Sequence, residues 1–241
     1  MVMKTLILLT TLLCGATLPF GYEHSGIDFD QNGYMYTHPD SGNSTHLYRF
    51  SPNLEGEWLW MNFPNVDWED ISIGGCLNLD SSECIYLADT GQNYRRHSPV
   101  IYEIDASDTN NFYSHWINFE GGNGDVEAIA ISEGSLYAIK KDGQSTLYKL
   151  DGNLFRVCGR FPLTGYVTGM DMQGSKMTLV YHKGRDYFIN EYTMYECQVL
   201  SHRQLDFHST RQVEGVAYRG STIVAVAEDG TLFEIEEPLE Q

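Results

Sequence analysis

The 241-residue sequence predicts an all-β chain folded as a five-bladed β-propeller with four strands in each blade. Three observations carry this reading. Helical periodicity is almost absent, while short alternating runs rich in Val, Ile, Tyr and Phe recur between Gly, Asp and Asn clusters. One five-residue pattern recurs as Ser25-Gly26-Ile27-Asp28-Phe29, Glu69-Asp70-Ile71-Ser72-Ile73, Glu127-Ala128-Ile129-Ala130-Ile131, Thr168-Gly169-Met170-Asp171-Met172 and Glu214-Gly215-Val216-Ala217-Tyr218. The copies start 44, 58, 41 and 46 residues apart, about the period of a four-stranded blade. Their second residue is small at Gly26, Ala128, Gly169 and Gly215, as innermost strands crowding an axis require, and Asp70 is the exception.

Each copy is read as the innermost strand of a blade. A turn follows, then an apolar strand such as Ser135 to Ile139, a polar loop, and a further strand such as Thr146 to Leu150. Blade two is lengthened by two insertions, 74–83 and 90–99. Blade five stops after its third strand, near Glu236. Its outer strand is expected from the mature N-terminus, Leu18 to Glu23, which would close the ring and cover two strand edges. An open β-sandwich of similar strands is the competing arrangement.

Ahead of blade one, Met1-Val2-Met3-Lys4, an apolar run from Thr5 to Leu13, and Cys14-Gly15-Ala16 have the order of a secretory signal. Residues 1–16 are expected to be that signal, cleaved after Ala16, and 17–241 a single propeller domain. Cleavage before Cys14 with lipid attachment is the lesser alternative, because Leu12 and Leu13 stand where small residues are wanted. The apolar run is shorter than the roughly 20 residues of a membrane-spanning helix. A secreted or periplasmic protein without a membrane span is the expectation, and a monomer.

Export fits the cysteines. Five become four once Cys14 leaves, an even number. Cys76 and Cys84 flank a polar loop between two apolar runs, so a hairpin would pair them; Cys158 with Cys197 follows by elimination. No Cys or His spacing suggests zinc.

The formal charge is −18, or −19 without Lys4. A chain this acidic repels phosphate backbones, so nucleic acid is not an expected partner. There is no G-x-S-x-G elbow, P-loop or HExxH motif. Trp58, Trp60, Trp68 and Trp116 are expected to pack between blades rather than form a sugar platform.

If the five copies are innermost strands, Ser25, Glu69, Glu127, Thr168 and Glu214 meet at one mouth of the central channel. Three carboxylates packed there would raise one another's pKa unless a cation sat among them. Calcium suits this ring of oxygens, which offers neither thiolate nor imidazole. Partly protonated glutamates in a wet channel are the alternative. On the same face, the loops after the second strands carry Asn93, Arg95, Arg96, Lys140, Lys141, His182, Lys183 and Arg185. This local excess of cations suits an anionic small molecule, although solvated loop tips would look the same.

At Asp67-Trp68-Glu69-Asp70, and at Asp89-Thr90-Gly91-Gln92-Asn93 with Arg95-Arg96, the chain resembles exported bacterial propeller proteins related to phytase-like esterase domains. The order Ser, Glu, Glu, Thr, Glu is also similar to the calcium-activated nucleotidase (apyrase) family. That resemblance implies five blades, calcium ligation by Ser25, Glu69, Glu127, Thr168 and Glu214, and a water-activating role for Asp89. The expected function is therefore a calcium-dependent hydrolase of a phosphorylated or other anionic small molecule. A non-catalytic binding propeller with a structural calcium is the alternative.

Overall fold

The computed structural model describes residues 16–18, 23–40, 42, 44–92, 99–143, 145–161 and 163–236. Every described element is a strand, and each sheet is built on an antiparallel meander that becomes one blade. Blade one comprises β1 (His24–Phe29), β2 (Met35–Pro39), β3 (His46–Phe50) and β4 (Gly56–Trp60). Blade two comprises β5 (Trp68–Gly74), β6 (Cys84–Asp89), β7 (Val100–Asp105) and β8 (Asp108–Trp116). The short β9 (Asn118–Phe119) crosses to blade three and adds a parallel outer strand to β10 (Val126–Ser132), β11 (Ser135–Lys140), β12 (Thr146–Asp151) and β13 (Leu154–Arg160). Blade four comprises β14 (Tyr166–Gln173), β15 (Lys176–Lys183), β16 (Asp186–Tyr195) and β17 (Gln198–Gln204). Blade five has three strands, β18 (Val213–Arg219), β19 (Thr222–Ala227) and β20 (Leu232–Glu236). All five repeat copies are innermost strands, as expected.

Inner and middle strands are buried on both faces because each blade is covered by its two neighbours, and the sequence answers with β-branched and aromatic residues. Five apolar clusters fill the five gaps between blades. One joins blades one and two through Tyr36, Leu47, Trp68 and Ile85. The next three are centred on Tyr86 with Ile129, on Ala128 with Met170, and on Val180 with Val216. The fifth packs Ile27 and Tyr48 against Val224 and Leu232, so blade five touches blade one and the ring is shut.

The N-terminal segment does lie against blade five. Thr17 bridges Thr231, Leu18 N donates to Gly230 O and Leu232 N donates to Ala16 O, each at 2.9 Å. The described pairing with blade five is carried by Ala16–Leu18, while the Glu23 carbonyl accepts Asp40 N in blade one. Residues 19–22 and 1–15, the latter holding most of the expected signal, lie outside the described residues.

Both expected disulfides are present, each with Cα atoms 5.1 Å apart. Cys76–Cys84 closes the 74–83 insertion, and Cys158–Cys197 ties β13 of blade three to the β16–β17 turn of blade four. They suit an oxidising compartment. Among the described residues no helix is long and apolar enough to cross a membrane.

The tryptophans correct the expectation. Trp68 is buried between blades one and two, but Trp58, Trp60 and Trp116 lie on β4 and β8 at the rim, the last two more than 60% exposed. Outermost strands have no further strand beside them, so a bulky residue there is only partly covered.

Candidate functional site

The site begins with a backbone irregularity repeated five times. Along β10, Val126 pairs with Lys140 and Ala128 with Ile139, which leaves Glu127 as an extra residue. The same shift occurs at Glu69, Thr168 and Glu214, and in β1 at Ser25-Gly26. A bulge inserts a residue that escapes the in-and-out alternation of the strand and re-aims its side chain. In four blades the extra residue is the first of the copy, Glu69, Glu127, Thr168 or Glu214; in blade one it is Gly26, next to Ser25.

Two of these side chains meet, with an aspartate beside them. Carboxylate oxygens of Glu69, Asp125 and Glu127 lie within 4.8 Å of one another. Ser25 Oγ donates to Glu69 O at 2.8 Å, and Thr168 Oγ1 donates to Val213 O at 2.7 Å, so each hydroxyl is held by the next blade with its lone pairs left over. Burial pushes Glu214 up to about 8, against a hydrogen bond from Gln212 and with help from the Glu127 charge. Burial likewise pushes Glu127 up to about 7, with Lys141 opposing and Asp125 adding to the rise. Glu69 is held well above the usual carboxylate range by burial, then by Glu127, Asp67, Asp40 and Asp125. Tyr187, rising to about 12 by burial and the Glu214 charge, belongs to the same surroundings.

Beneath this cup the axis is filled. A Cβ on Gly215 would lie 2.7 Å from the Gly26 carbonyl carbon, so only glycines allow the backbones of blades one and five this close. Asp70, the exception among the small residues, uses the space they leave. Its Oδ1 accepts Ile71 N at 2.9 Å and its Oδ2 accepts Ile129 N from blade three at 2.8 Å. Asp28 joins Phe29 N to Ile73 N of blade two, and Asp171 joins Met172 N to Tyr218 N of blade five. These carboxylates are staples between neighbouring innermost strands. Burial raises all three, Asp171 to about 6.

The expected anion-binding residues divide. Lys141 belongs to the cup, with Nζ 2.9 Å from Glu127 Oε1. Lys140 points elsewhere, donating to Gly122 O at 2.8 Å with its ammonium over the Phe119 and Tyr148 rings. On blade four, His182 stacks on Tyr166 and Tyr187, while Lys183 and Arg185 are exposed at the loop tip. Asn93, Arg95 and Arg96 lie outside the described residues. Asp89 is fully buried and its Oδ1 accepts Asp67 N at 2.8 Å, which fixes the chain leading into Glu69.

Asp125 and Asp67 are the residues that sequence reasoning missed. Both stand two positions ahead of a ring glutamate, in Asp67-Trp68-Glu69 and Asp125-Val126-Glu127, so a repeated Asp-x-Glu at the start of two innermost strands was the available signal. The loop after β6 binds them together. Thr90 N and Gly91 N donate to Asp67 O, Gln92 N donates to Asp125 Oδ1, and Thr90 Oγ1 reaches Val126 O of blade three.

Solved structures give the wider comparison. The chain is similar to a putative gluconolactonase at 12% identity, with a TM-score of 0.56 over 88% of this chain and 73% of that one. It is similar to the PQQ-bound aldose sugar dehydrogenase from Streptomyces coelicolor at 9%, with 0.55 over 94% and 97%. It is also similar to virginiamycin B lyase from Staphylococcus aureus at 12%, with 0.50 over 88% of this chain and 65% of the lyase. The likeness shows the fold. At these identities it carries no activity across, and the chain spans only about two thirds of the lyase. No protein-family model and no curated protein matches the sequence. The expected kinship with phytase-like esterases and calcium-activated nucleotidases therefore has no support from these comparisons, which support a β-propeller and no finer family.

Proposed function

We propose that this chain is an exported propeller whose axial cup binds one calcium ion, with a small anionic ligand received at the mouth above it. What carries the reading is the convergence of Glu69, Asp125 and Glu127 oxygens within 4.8 Å, beside Glu214 and with one ammonium, Lys141, facing them. Buried like charges of this number are tolerated only if protonated or matched by a cation.

The donor set fits calcium. Among the described residues the candidate ligands at the cup are carboxylate and hydroxyl oxygens, and Cys76 and Cys84, the nearest thing to a soft site, are joined in a disulfide. Glu69, Asp125, Glu127 and Glu214 would hold the ion, with the Ser25 and Thr168 hydroxyls on the blades to either side of Glu214. A bound calcium can polarise an ester or its water.

Hydrolysis of a phosphorylated or other anionic small molecule is the second reading. It would use the Lys141 ammonium, 2.9 Å from Glu127 at the cup, to receive the anion and a calcium-bound water as nucleophile. Asp89, proposed as base by resemblance, is better placed to position Asp67 and through it Glu69.

The test is calorimetric titration of calcium into chelator-treated protein, beside a Glu69→Gln, Glu127→Gln double variant. One ion per chain, lost in the variant, is expected; no heat in the parent would sink the reading. Turnover of nucleotides or a generic phosphate ester that needs calcium and is lost in the double variant would decide for the hydrolase.

A further inference from the structure

The cup already contains a cation of its own. Lys141 follows β11, and its backbone N–H donates to Asp125 O at 2.8 Å, so the main chains of these two residues are locked together. Its side chain is 37% exposed, yet Nζ turns inward to Glu127 Oε1 at 2.9 Å. Burial alone would lower this ammonium; Glu127, then Asp125 and Glu69, raise it instead, which places it within the field of the same three carboxylates that converge.

A divalent ion and an ammonium cannot share these oxygens without strong repulsion between like charges a few ångströms apart. The stem of a lysine is flexible and its head is a compact point charge, so the ammonium can leave while the backbone stays fixed. The side chain is already partly open to solvent. Lys140 offers no substitute, being occupied by Gly122 O and two aromatic rings.

We infer that Lys141 is the resident counter-ion of the cup: a divalent ion arriving among Glu69, Asp125 and Glu127 displaces its ammonium, and the released ammonium then binds the small anion at the mouth. The inference rests on the cation reading above and adds a coupling to it. Cation and anion would each tighten the other by the same factor, since binding free energies are linked reciprocally.

Calcium titrations of the parent, Lys141→Met, Lys141→Arg and Lys140→Met, each with and without methylphosphonate, test it. Lys141→Met, relieved of the competing charge, is expected to bind calcium about tenfold tighter, or about 1.4 kcal/mol. Lys141→Arg and Lys140→Met should stay near the parent. Methylphosphonate should tighten calcium binding at least about threefold in the parent and not in Lys141→Met. Calcium binding by Lys141→Met that is equal to the parent's or weaker overturns the counter-ion role. Absence of an anion effect in the parent overturns the hand-over. If no variant and no parent binds calcium, the cation reading itself has failed, a distinct result. Should Lys141→Met not fold, Lys141→Gln serves the same comparison.

Discussion

Gly91 and Glu69 occupy one space: a Cβ on Gly91 would collide with Glu69 Oε1 and fall 2.5 Å from the Asp67 carboxylate. The glycine is not in a left-handed conformation; it is required because the loop backbone is pressed against two acidic side chains. Gly91→Ala is therefore expected to push Glu69 out of the cup, weakening calcium binding at least about tenfold, by about 1.4 kcal/mol, as read by titration calorimetry. Unchanged affinity would mean that Glu69 is not a ligand.

Cation-free protein should lose stability as pH rises. Glu214 and Glu127 have folded pKa values near 8 and 7, above their ordinary 4.5, so between these limits the folded chain holds protons that the unfolded chain has released. Their contribution is thus least unfavourable below about 4.5 and worsens up to about 8. Glu103, held low by Asn78 and Leu79 N–H groups despite its burial, acts below that window. Thermal melts in chelator should fall by several degrees from pH 5 to 8, and saturating calcium should flatten the slope. A rising melting temperature in chelator would contradict the arrangement.

Asp70→Ala should be costly without touching the cup. It strands the N–H groups of Ile71 and Ile129, which bond to a carboxylate that is itself buried. A loss of about 2–4 kcal/mol in denaturant unfolding is expected, from two unpaired buried donors. A loss below about 1 kcal/mol would show that the staple is dispensable.

The two disulfides should differ in worth. Cys158–Cys197 closes a separation of 39 residues and Cys76–Cys84 one of 8. On the chain-entropy estimate they contribute about 4 and about 2.5 kcal/mol. Paired Cys→Ala variants should rank accordingly in denaturant melts, and the reverse ranking would point to strain or residual structure in the unfolded chain.

The blades were legible because repetition reports them: Ser25, Glu69, Glu127, Thr168 and Glu214 recur in register at the starts of the innermost strands, and of these Glu69 and Glu127 lie together, with Asp125 beside them. The small second residues were legible for the same reason. Asp125 and Asp67 were hidden because they precede the repeat and occur in only two blades. Asp70 looked anomalous because its partner, Ile129 N, lies 59 residues away in another blade. Lys140 and Lys141 are adjacent in sequence, so loop position could not say that strand alternation sends one to Phe119 and the other to Glu127. Trp58, Trp60 and Trp116 were misjudged since amphipathic pattern does not separate a rim strand from a covered one.

The contact between Thr17 and Thr231 joins positions 214 apart in the chain. Four blades can therefore assemble as their residues become available, but the seam must wait for both ends. Until then Tyr48 on one side and Val224 on the other face solvent in place of each other. Closing the ring thus brings the first blade to the last, and cutting the tether there would leave a split washer free to gape at the axis.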